Sequence, residues 1–326
     1  MYGEQVSHEK TRVLFSINVS RNMKEHILSM LGFKETTSLG KYLAVRLTGK
    51  APKRIDYKYI INQVSSKLKL WKGNHLAFSG RVTLAKSVIE VLPIYLMVTI
   101  MILRACIKDI HKLQRRFIWG DTNDKKKFYV VNWNTITRSK DEGGLGHRNL
   151  ETMNKSCMSK LWWKLHHGGE ELWCRVVWGK YGRDNNSGNI TIKATNSSFW
   201  KNIVKMWPRV EDNSLWQVGD GKFMKAWESK WIGHDVRIFD MDVSIPLHLR
   251  NANIADLIDV DDEWNWEMIN KWLPESITCR IASMLPPLID VGSDCRVSIG
   301  VHGNQFSVGD MYEILDEDNR LEKEEI

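Results

Sequence analysis

The sequence predicts an α+β fold that is predominantly α-helical, and three observations favour it. Apolar residues recur at helical spacing through most of the middle of the chain. Strand-like runs are confined to the N-terminal stretch, and one hairpin signal lies in the C-terminal third. Because helices repeat about every 3.6 residues and half-buried strands every 2, the two patterns separate the element types. With 326 residues and 43% apolar content, the chain is long enough to bury a core.

The first 50 residues predict a small α+β element. The runs VLFSINV (13–19) and KYLAVRL (41–47) are strand-like, and they flank the helical stretch NMKEHILSMLGF. Gly32 follows the last apolar turn of that stretch, where a residue in the left-handed conformation typically ends a helix.

Residues 51–184 predict a helical domain. Apolar residues keep helical spacing from Ile55 to Trp71, and a second helix is predicted from Arg81 to Leu92, ended or kinked by Pro93. The uncharged run from Val91 to Leu103 is too short to span a bilayer of roughly 30 Å and predicts a core segment. Another helix is predicted over LETMNKSCMSKLWWKLHH.

The stretch around KLQRRFIWGD predicts a helix with one apolar and one basic face. At about 100° per residue, a single arc of about 140° contains the apolar residues Ile107, Ile110, Leu113, Phe117 and Ile118. The opposite side contains the polar residues Lys108, His111, Lys112, Arg115 and Arg116. Gly120 stands where a left-handed cap would end this helix.

Residues 185–315 predict a region with a β-hairpin. The stretch LWQVGDGKFMKAWESKWI has Gly219-Asp220-Gly221 between two aromatic-rich alternating pieces, which is typical of a hairpin turn. The last residues, 316–326, end in LEKEEI and predict a disordered acidic tail.

Charge is distributed unevenly along the chain. Residues 1–210 contain 37 Lys and Arg against 15 Asp and Glu, a net charge of +22, whereas residues 211–326 contain 10 against 24, a net charge of −14. A basic block of this size usually indicates a polyanionic partner, although single lysines more often only solvate helices. Nucleic acid is therefore the favoured partner of the first two thirds.

Cysteines and termini indicate an intracellular protein of the nucleus or cytoplasm. The five cysteines are scattered and form no C-x-x-C pair, so we predict buried, reduced thiols rather than disulfides or a zinc site. The N-terminal stretch has no apolar segment of signal-peptide length, which argues against secretion, and we expect no membrane partner and no small-molecule substrate.

Nine sequence stretches occur in an order that resembles a known family. They are FSINV, LGFKETTSLGKYLAVRL, KLKLWKGNHLAFSGRVTLAKSVIEVLPIY, RRFIWGD, GGLG, VVWGKYG, WQVGDGKFMKAWESKWI, LPESI and GNQFSV. Together, from Val6 to Leu315, they resemble the downstream part of plant LINE-type (non-LTR) retrotransposon reverse transcriptases, RNA-directed DNA polymerases whose relatives often carry the name ribonuclease H protein.

The resemblance implies a role for each region. Residues 1–50 would be the last edge of the polymerase palm, residues 51–184 the thumb, and residues 185–315 the connection that follows it. Thumb helices of the family grip the template–primer duplex, so an RNA–DNA or DNA duplex is the expected partner, and the upstream palm is a second candidate partner. The candidate phosphate contacts are Lys58, Lys67, Lys69, Lys72, Lys108, Lys112, Arg115 and Arg116.

The polymerase's catalytic carboxylates are not recognisable in this sequence. The family holds Mg²⁺ in a Tyr-x-Asp-Asp box upstream of this region, so no catalytic residue, metal ligand or cofactor is expected here, and polymerase activity of the chain alone is not expected. The family usually has other residues at Ala44, Arg46, Ser139 and Ser229, which indicates relaxed constraint. Two alternatives therefore stay open: a degenerate transposon remnant without function, and a protein-interaction module that uses the acidic last third.

Several other motifs favour structural roles. Asp261-Asp262 is predicted to lie in a solvated loop, and His166-His167 at a helix end rather than in a metal site. The GGLG and GDG motifs are predicted turns, because neither has the context of a phosphate-binding loop. Most tryptophans are predicted core residues, and Trp71 and Trp119, which end basic helices, could also contact a duplex edge.

Overall fold

The computed structural model describes residues 7, 9, 11–38, 40–42, 45–46, 51–71, 75–121, 128–129, 131–166, 171–182, 192–298 and 306–324. The chain forms two compact units: unit 1 comprises residues 1–96 and 102–131, and unit 2 comprises residues 97–101 and 132–326. Helices predominate and the strands are short, so the predicted fold class is confirmed. The predicted helical segment 51–184 extends over both units.

The N-terminal element is less regular than predicted. Strand β1 (Arg12–Val13) pairs in parallel with β2 (Lys34–Glu35), and β3 (Lys41–Tyr42) pairs antiparallel with β4 (Val45–Arg46). The predicted strand 13–19 is therefore formed only at its start, and the predicted strand 41–47 is two short strands. A strand persists only where a neighbour accepts and donates its ladder hydrogen bonds, and these ladders are two residues long.

Helix α1 (Arg21–Leu31) follows β1 and precedes β2 along the chain, and it ends at the predicted glycine cap. The Ser20 hydroxyl accepts a hydrogen bond from the Met23 N–H at 3.4 Å. Gly32 has a φ of 66°, and its N–H donates to the carbonyl of Leu28. The predicted cap is confirmed, because this left-handed conformation carries little cost in glycine.

Unit 1 is centred on the packing of two helices, α2 (Lys58–Leu70) and α5 (Arg104–Trp119). In α5 the predicted apolar residues Ile107, Ile110, Phe117 and Ile118 are buried. In α2 only Ile60 and Val64 of the predicted stripe are buried, and Ile61, Leu68 and Trp71 are half-buried. Leu113 is only half-buried, and Gln114, in the middle of the apolar arc, is fully buried. Trp71 packs on Phe117 with their ring centroids 5.6 Å apart.

The segment between these two helices is broken into short pieces. Helix α3 (Phe78–Leu84) continues into a π-helical turn (Ala85–Ile89), and α4 (Ile94–Met97) begins directly after Pro93. The predicted core segment 91–103 is buried only in part. Leu96, Met97 and Ile102 are buried, whereas Val91, Tyr95 and Val98 are exposed, because a single helical turn cannot bury side chains on all its sides.

Unit 2 contains seven further α-helices among the described residues. They are α6 (Trp133–Ile136), α7 (Leu150–His166), α8 (Leu172–Tyr181), α9 (Ser198–Asp212), α10 (Trp266–Ile269), α11 (Glu275–Ala282) and α12 (Val308–Glu324). Helix α7 packs against both α9 and α12, and their shared core includes Trp162, Trp200, Ile203, Met311 and Leu315. None of the helices in the described ranges is long and apolar enough to cross a membrane.

The predicted disordered tail is wrong as far as Glu324. Residues 316–324 belong to α12, whose residues Met311 and Leu315 are buried in the core of unit 2. Ion pairs hold its polar side: Arg209 pairs with Asp318 at 2.7 Å. Burial of one apolar stripe explains why a strongly charged segment is ordered, since the charges lie on the other side of the helix.

The predicted hairpin is also wrong, because its first strand has another partner. Strand β5 (Ser214–Gln217) pairs antiparallel with β6 (Cys295–Ser298), and no strand follows Gly221 directly. The GDG motif nevertheless forms a turn, as predicted. The Asp294 carboxylate accepts hydrogen bonds from the N–H groups of Gly219 and Gly221, each at 2.8 Å, and thereby fastens the turn beside β6.

Candidate functional site

Helix α5 carries a compact group of cations, here called the basic face: Lys108, Lys112, Arg115 and Arg116. At about 100° per residue these four positions fall within an arc of about 100°, opposite the buried stripe. Lys108 and Lys112 are exposed, and the two arginines are half-buried. The helix therefore presents one strongly positive side along its outer surface.

The two arginines of the basic face are held by neighbouring side chains. The Arg115 guanidinium lies 5.7 Å from the centre of the Tyr129 ring, within the range of a cation–π contact. The Arg116 Nε lies 4.0 Å from a carboxylate oxygen of Asp121. The Tyr129 hydroxyl donates to the same carboxylate, and burial, together with this bond, raises the pKa of Tyr129. These contacts orient both guanidinium groups before any ligand binds.

The single acidic residue in the sequence of α5 is neutralised by a cation from another element. The Arg54 Nη2 donates to the Asp109 Oδ2 at 2.6 Å, and this hydrogen bond raises the pKa of Arg54. Because Arg54 balances the negative charge of Asp109, that carboxylate does not offset the positive charge of the other α5 side chains. Sequence reasoning missed Arg54, because no local pattern links positions so far apart in the chain.

The lysines of α2 are exposed but do not form one face. Lys58 begins the helix, and Lys67 and Lys69 lie in its last turn. Helix geometry places Lys69 about 20° from Lys58 around the axis, whereas Lys67 lies about 180° from Lys58. Lys58 and Lys69 therefore lie on one side of the buried stripe of α2, and Lys67 lies on the other side. Lys72, the remaining predicted contact, lies outside the described residues.

A further arginine, which no sequence pattern indicated, lies at the C-terminal end of α5. Gly120 caps the helix with a φ of 70°. The Arg81 guanidinium lies against it so closely that a Cβ on Gly120 would be 2.0 Å from Nη1. A cation at a helix C-terminus interacts favourably with the helix dipole. Arg81 therefore stabilises the end of α5 and adds positive charge there.

The remaining sequence motifs have structural roles. Asp261 and Asp262 are exposed in a turn closed by the Asp259 carboxylate, which accepts from the N–H groups of Asp261 and Glu263. The His166 ring lies 3.7 Å from that of Trp162, in the aromatic core of unit 2. Within the described ranges, no three His, Cys, Asp or Glu side chains are grouped so that they could hold a metal ion.

Three of the five cysteines follow their prediction. Cys106, Cys157 and Cys174 are buried, and no disulfide forms among the five, whereas Cys279 and Cys295 are exposed. The prediction of burial is wrong for these last two. Cys279 lies on the outer side of α11, and Cys295 begins β6, at the edge of a two-stranded sheet.

Comparison with known proteins identifies plant relatives. A protein of Arabidopsis thaliana named "Putative ribonuclease H protein" is 29% identical over 259 residues, which are 78% of this chain and 42% of that relative. An Arabidopsis thaliana protein named "Uncharacterized mitochondrial protein" is 26% identical over 142 residues, 43% of this chain and 92% of that relative. No protein-family model matches. The chain thus spans less than half the length of the first relative.

Proposed function

We propose that this chain is a nucleic-acid-binding part of a plant transposon-derived protein of the reverse-transcriptase type, and that the basic face of α5 contacts a template–primer duplex. The observation that carries the proposal is the clustering of four cations on one side of α5, with Asp109 neutralised by Arg54. Similarity to a plant protein named for ribonuclease H supports a retroelement origin.

The contacts proposed are to phosphates rather than to bases. Lysine and arginine side chains on a helix surface bind backbone phosphates and position a protein on a duplex without selecting a sequence. Lys108 and Lys112 reach solvent and would supply the main contacts, and the oriented Arg115 and Arg116 would add to them. Lys58, Lys67 and Lys69 extend the positive surface of unit 1.

Polymerisation is not part of the proposed role of this chain by itself. Nucleotide transfer requires carboxylates that hold two metal ions, and in the family these belong to a palm that would be a partner of this region. We expect purified chain, supplied with Mg²⁺, nucleotides and a primed template, to extend no primer. As a nucleic-acid-binding protein it would act in the nucleus or the cytoplasm.

Salt dependence tests the proposed contacts. Each phosphate bound by a cation releases condensed counterions, so removing one such cation changes the slope of log affinity against log salt on duplex DNA by about 0.9. The double variant Lys108→Gln/Lys112→Gln should weaken binding to duplexes of unrelated sequence about equally and flatten the slope by about 2 units. Both residues are exposed and lie away from the core of unit 1, so the fold should persist.

A matched variant controls for total charge. The exposed residues Lys160 and Lys271 belong to unit 2, and their replacement by glutamine changes the net charge by the same amount. This control should retain the parent's slope. Equal affinity and slope for both double variants, with both folded by circular dichroism, would show that the basic face of α5 is only a solvated surface.

A further inference from the structure

Trp119 lies among the cations of α5 rather than in the apolar core. It is the last residue of α5. Viewed down the helix axis, its position falls between those of Lys108 and Lys112, about 20° from each. Its side chain is half-buried, whereas Phe117 and Ile118 beside it are buried. The indole N–H has no hydrogen-bond acceptor among the described residues. An aromatic ring with a partly accessible surface therefore ends the basic face.

Phe78 extends this aromatic surface. It is the first residue of α3 and is 40% exposed, and its ring centroid lies 5.5 Å from that of Trp119, with the two planes inclined by 40°. Arg81, one turn further along α3, reaches Gly120, which directly follows Trp119. Phe78 and Trp119, here called the aromatic ledge, are thus bordered by Arg81 and the basic face.

Rings beside cations match the chemistry of unpaired nucleotides. Every base has a π-face that stacks on an aromatic side chain, and the phosphates next to it require positive charge. A base inside a duplex is already stacked on both sides, so a protein ring can reach only a base that is unpaired or terminal. The ledge also lies at the end of the basic face. If a duplex lies along α5, its end and any single-stranded extension would reach the ledge.

We infer that the aromatic ledge stacks a base of the single-stranded extension next to a bound duplex. The inference rests on the proposed function of the basic face and narrows its ligand to a duplex that carries an unpaired end. Phe78, as the more exposed ring, supplies the stacking surface, and Trp119 supports it from α5.

Binding to two ligands tests the inference: a blunt duplex, and a duplex with a short single-stranded extension and the same total number of phosphates. The parent should bind the extended ligand about 5- to 150-fold more tightly, the range expected for stacking of one base. Phe78→Leu should abolish this preference and leave affinity and salt slope on the blunt duplex unchanged. Phe78→Tyr, which retains a ring, should preserve the preference.

A spectroscopic readout separates stacking from a structural effect. A fluorescent purine analogue placed in the extension should be quenched on binding to the parent and to Phe78→Tyr, and should stay bright with Phe78→Leu. Phe78→Leu keeps the apolar bulk against Trp119, so its fold should survive, which circular dichroism and thermal unfolding would check. Equal affinity of the parent for both ligands, or equal quenching with Phe78→Leu, would overturn the ledge and leave the duplex proposal standing. Failure of the parent to bind either ligand would remove the proposed function itself.

Discussion

The Arg296 guanidinium lies 4.6 Å from the centre of the Trp216 ring, directly across the β5–β6 pair. Its Nη2 also donates to the Glu211 Oε1 at 3.2 Å, at the end of α9. Burial lowers the pKa of Arg296, and the neighbouring Glu211 counteracts that effect. The buried guanidinium of Arg296 thus links the β5–β6 sheet to helix α9.

Loss of the Glu211 charge should destabilise unit 2. Glu211→Gln removes a carboxylate charge that pairs with the buried Arg296, and we expect the free energy of unfolding to fall by about 1–3 kcal/mol. Urea unfolding followed by circular dichroism measures the change. The matched variant Glu263→Gln removes an exposed carboxylate in unit 2 and should change stability by less than about 0.5 kcal/mol. Equal effects of the two variants would contradict a special role for the Arg296 pair.

Gly120 should tolerate alanine poorly, for two separable reasons. A φ of 70° strains any side chain, and a new Cβ would also collide with the Arg81 guanidinium. Gly40, also in unit 1, has a φ of 67° and no atom within 4 Å of such a Cβ. Gly40→Ala should cost about 1 kcal/mol of unfolding free energy. Gly120→Ala should cost only about 0.5–1 kcal/mol more, because the guanidinium is the end of a flexible side chain and can move aside. In an Arg81→Ala background this additional cost should largely disappear.

Tyr57 should make stability depend on alkaline pH. It is 1% exposed, and burial raises its pKa to about 12. The unfolded chain loses this proton near pH 10, whereas the folded chain keeps it, so the free energy of unfolding falls as pH rises from about 10 to 12. The contribution approaches about 1.4 kcal/mol per pH unit. Urea midpoints of the parent and of Tyr57→Phe across this window measure the difference, and parallel curves would contradict the assignment.

Thiol reagents should divide the cysteines at pH 8 into two that react fast and three that react slowly. Cys279 and Cys295 are exposed, whereas Cys106, Cys157 and Cys174 are buried. Burial raises the pKa of Cys157 from 9.0 to about 11, so its thiolate fraction is about a hundredfold smaller. A chromogenic disulfide should titrate two thiols rapidly and the others only after denaturation. Cys279→Ser/Cys295→Ser should lose the rapid phase, and a rapid phase that persists would refute the division.

The sequence by itself determined the helical character, the glycine caps that end α1 and α5, and the basic face. These features depend on periodicity and on glycine's freedom at positive φ, which act within one or two helical turns and so leave a local pattern. The same periodicity could not reveal Gln114 as a buried residue, because an amide in the middle of an apolar arc becomes buried only when another element covers it.

Only the tertiary structure decided the pairings between distant segments. Strand β5 pairs with β6 rather than with the segment after the GDG turn, and the contacts of Arg54 with Asp109 and of Arg81 with Gly120 join different helices. The charged residues 316–324 are helical because α12, to which they belong, packs its apolar side chains into the core of unit 2. The physical reason is common to all of them: a partner far along the chain supplies the hydrogen bonds, charges or apolar surface, and no short stretch of sequence identifies that partner.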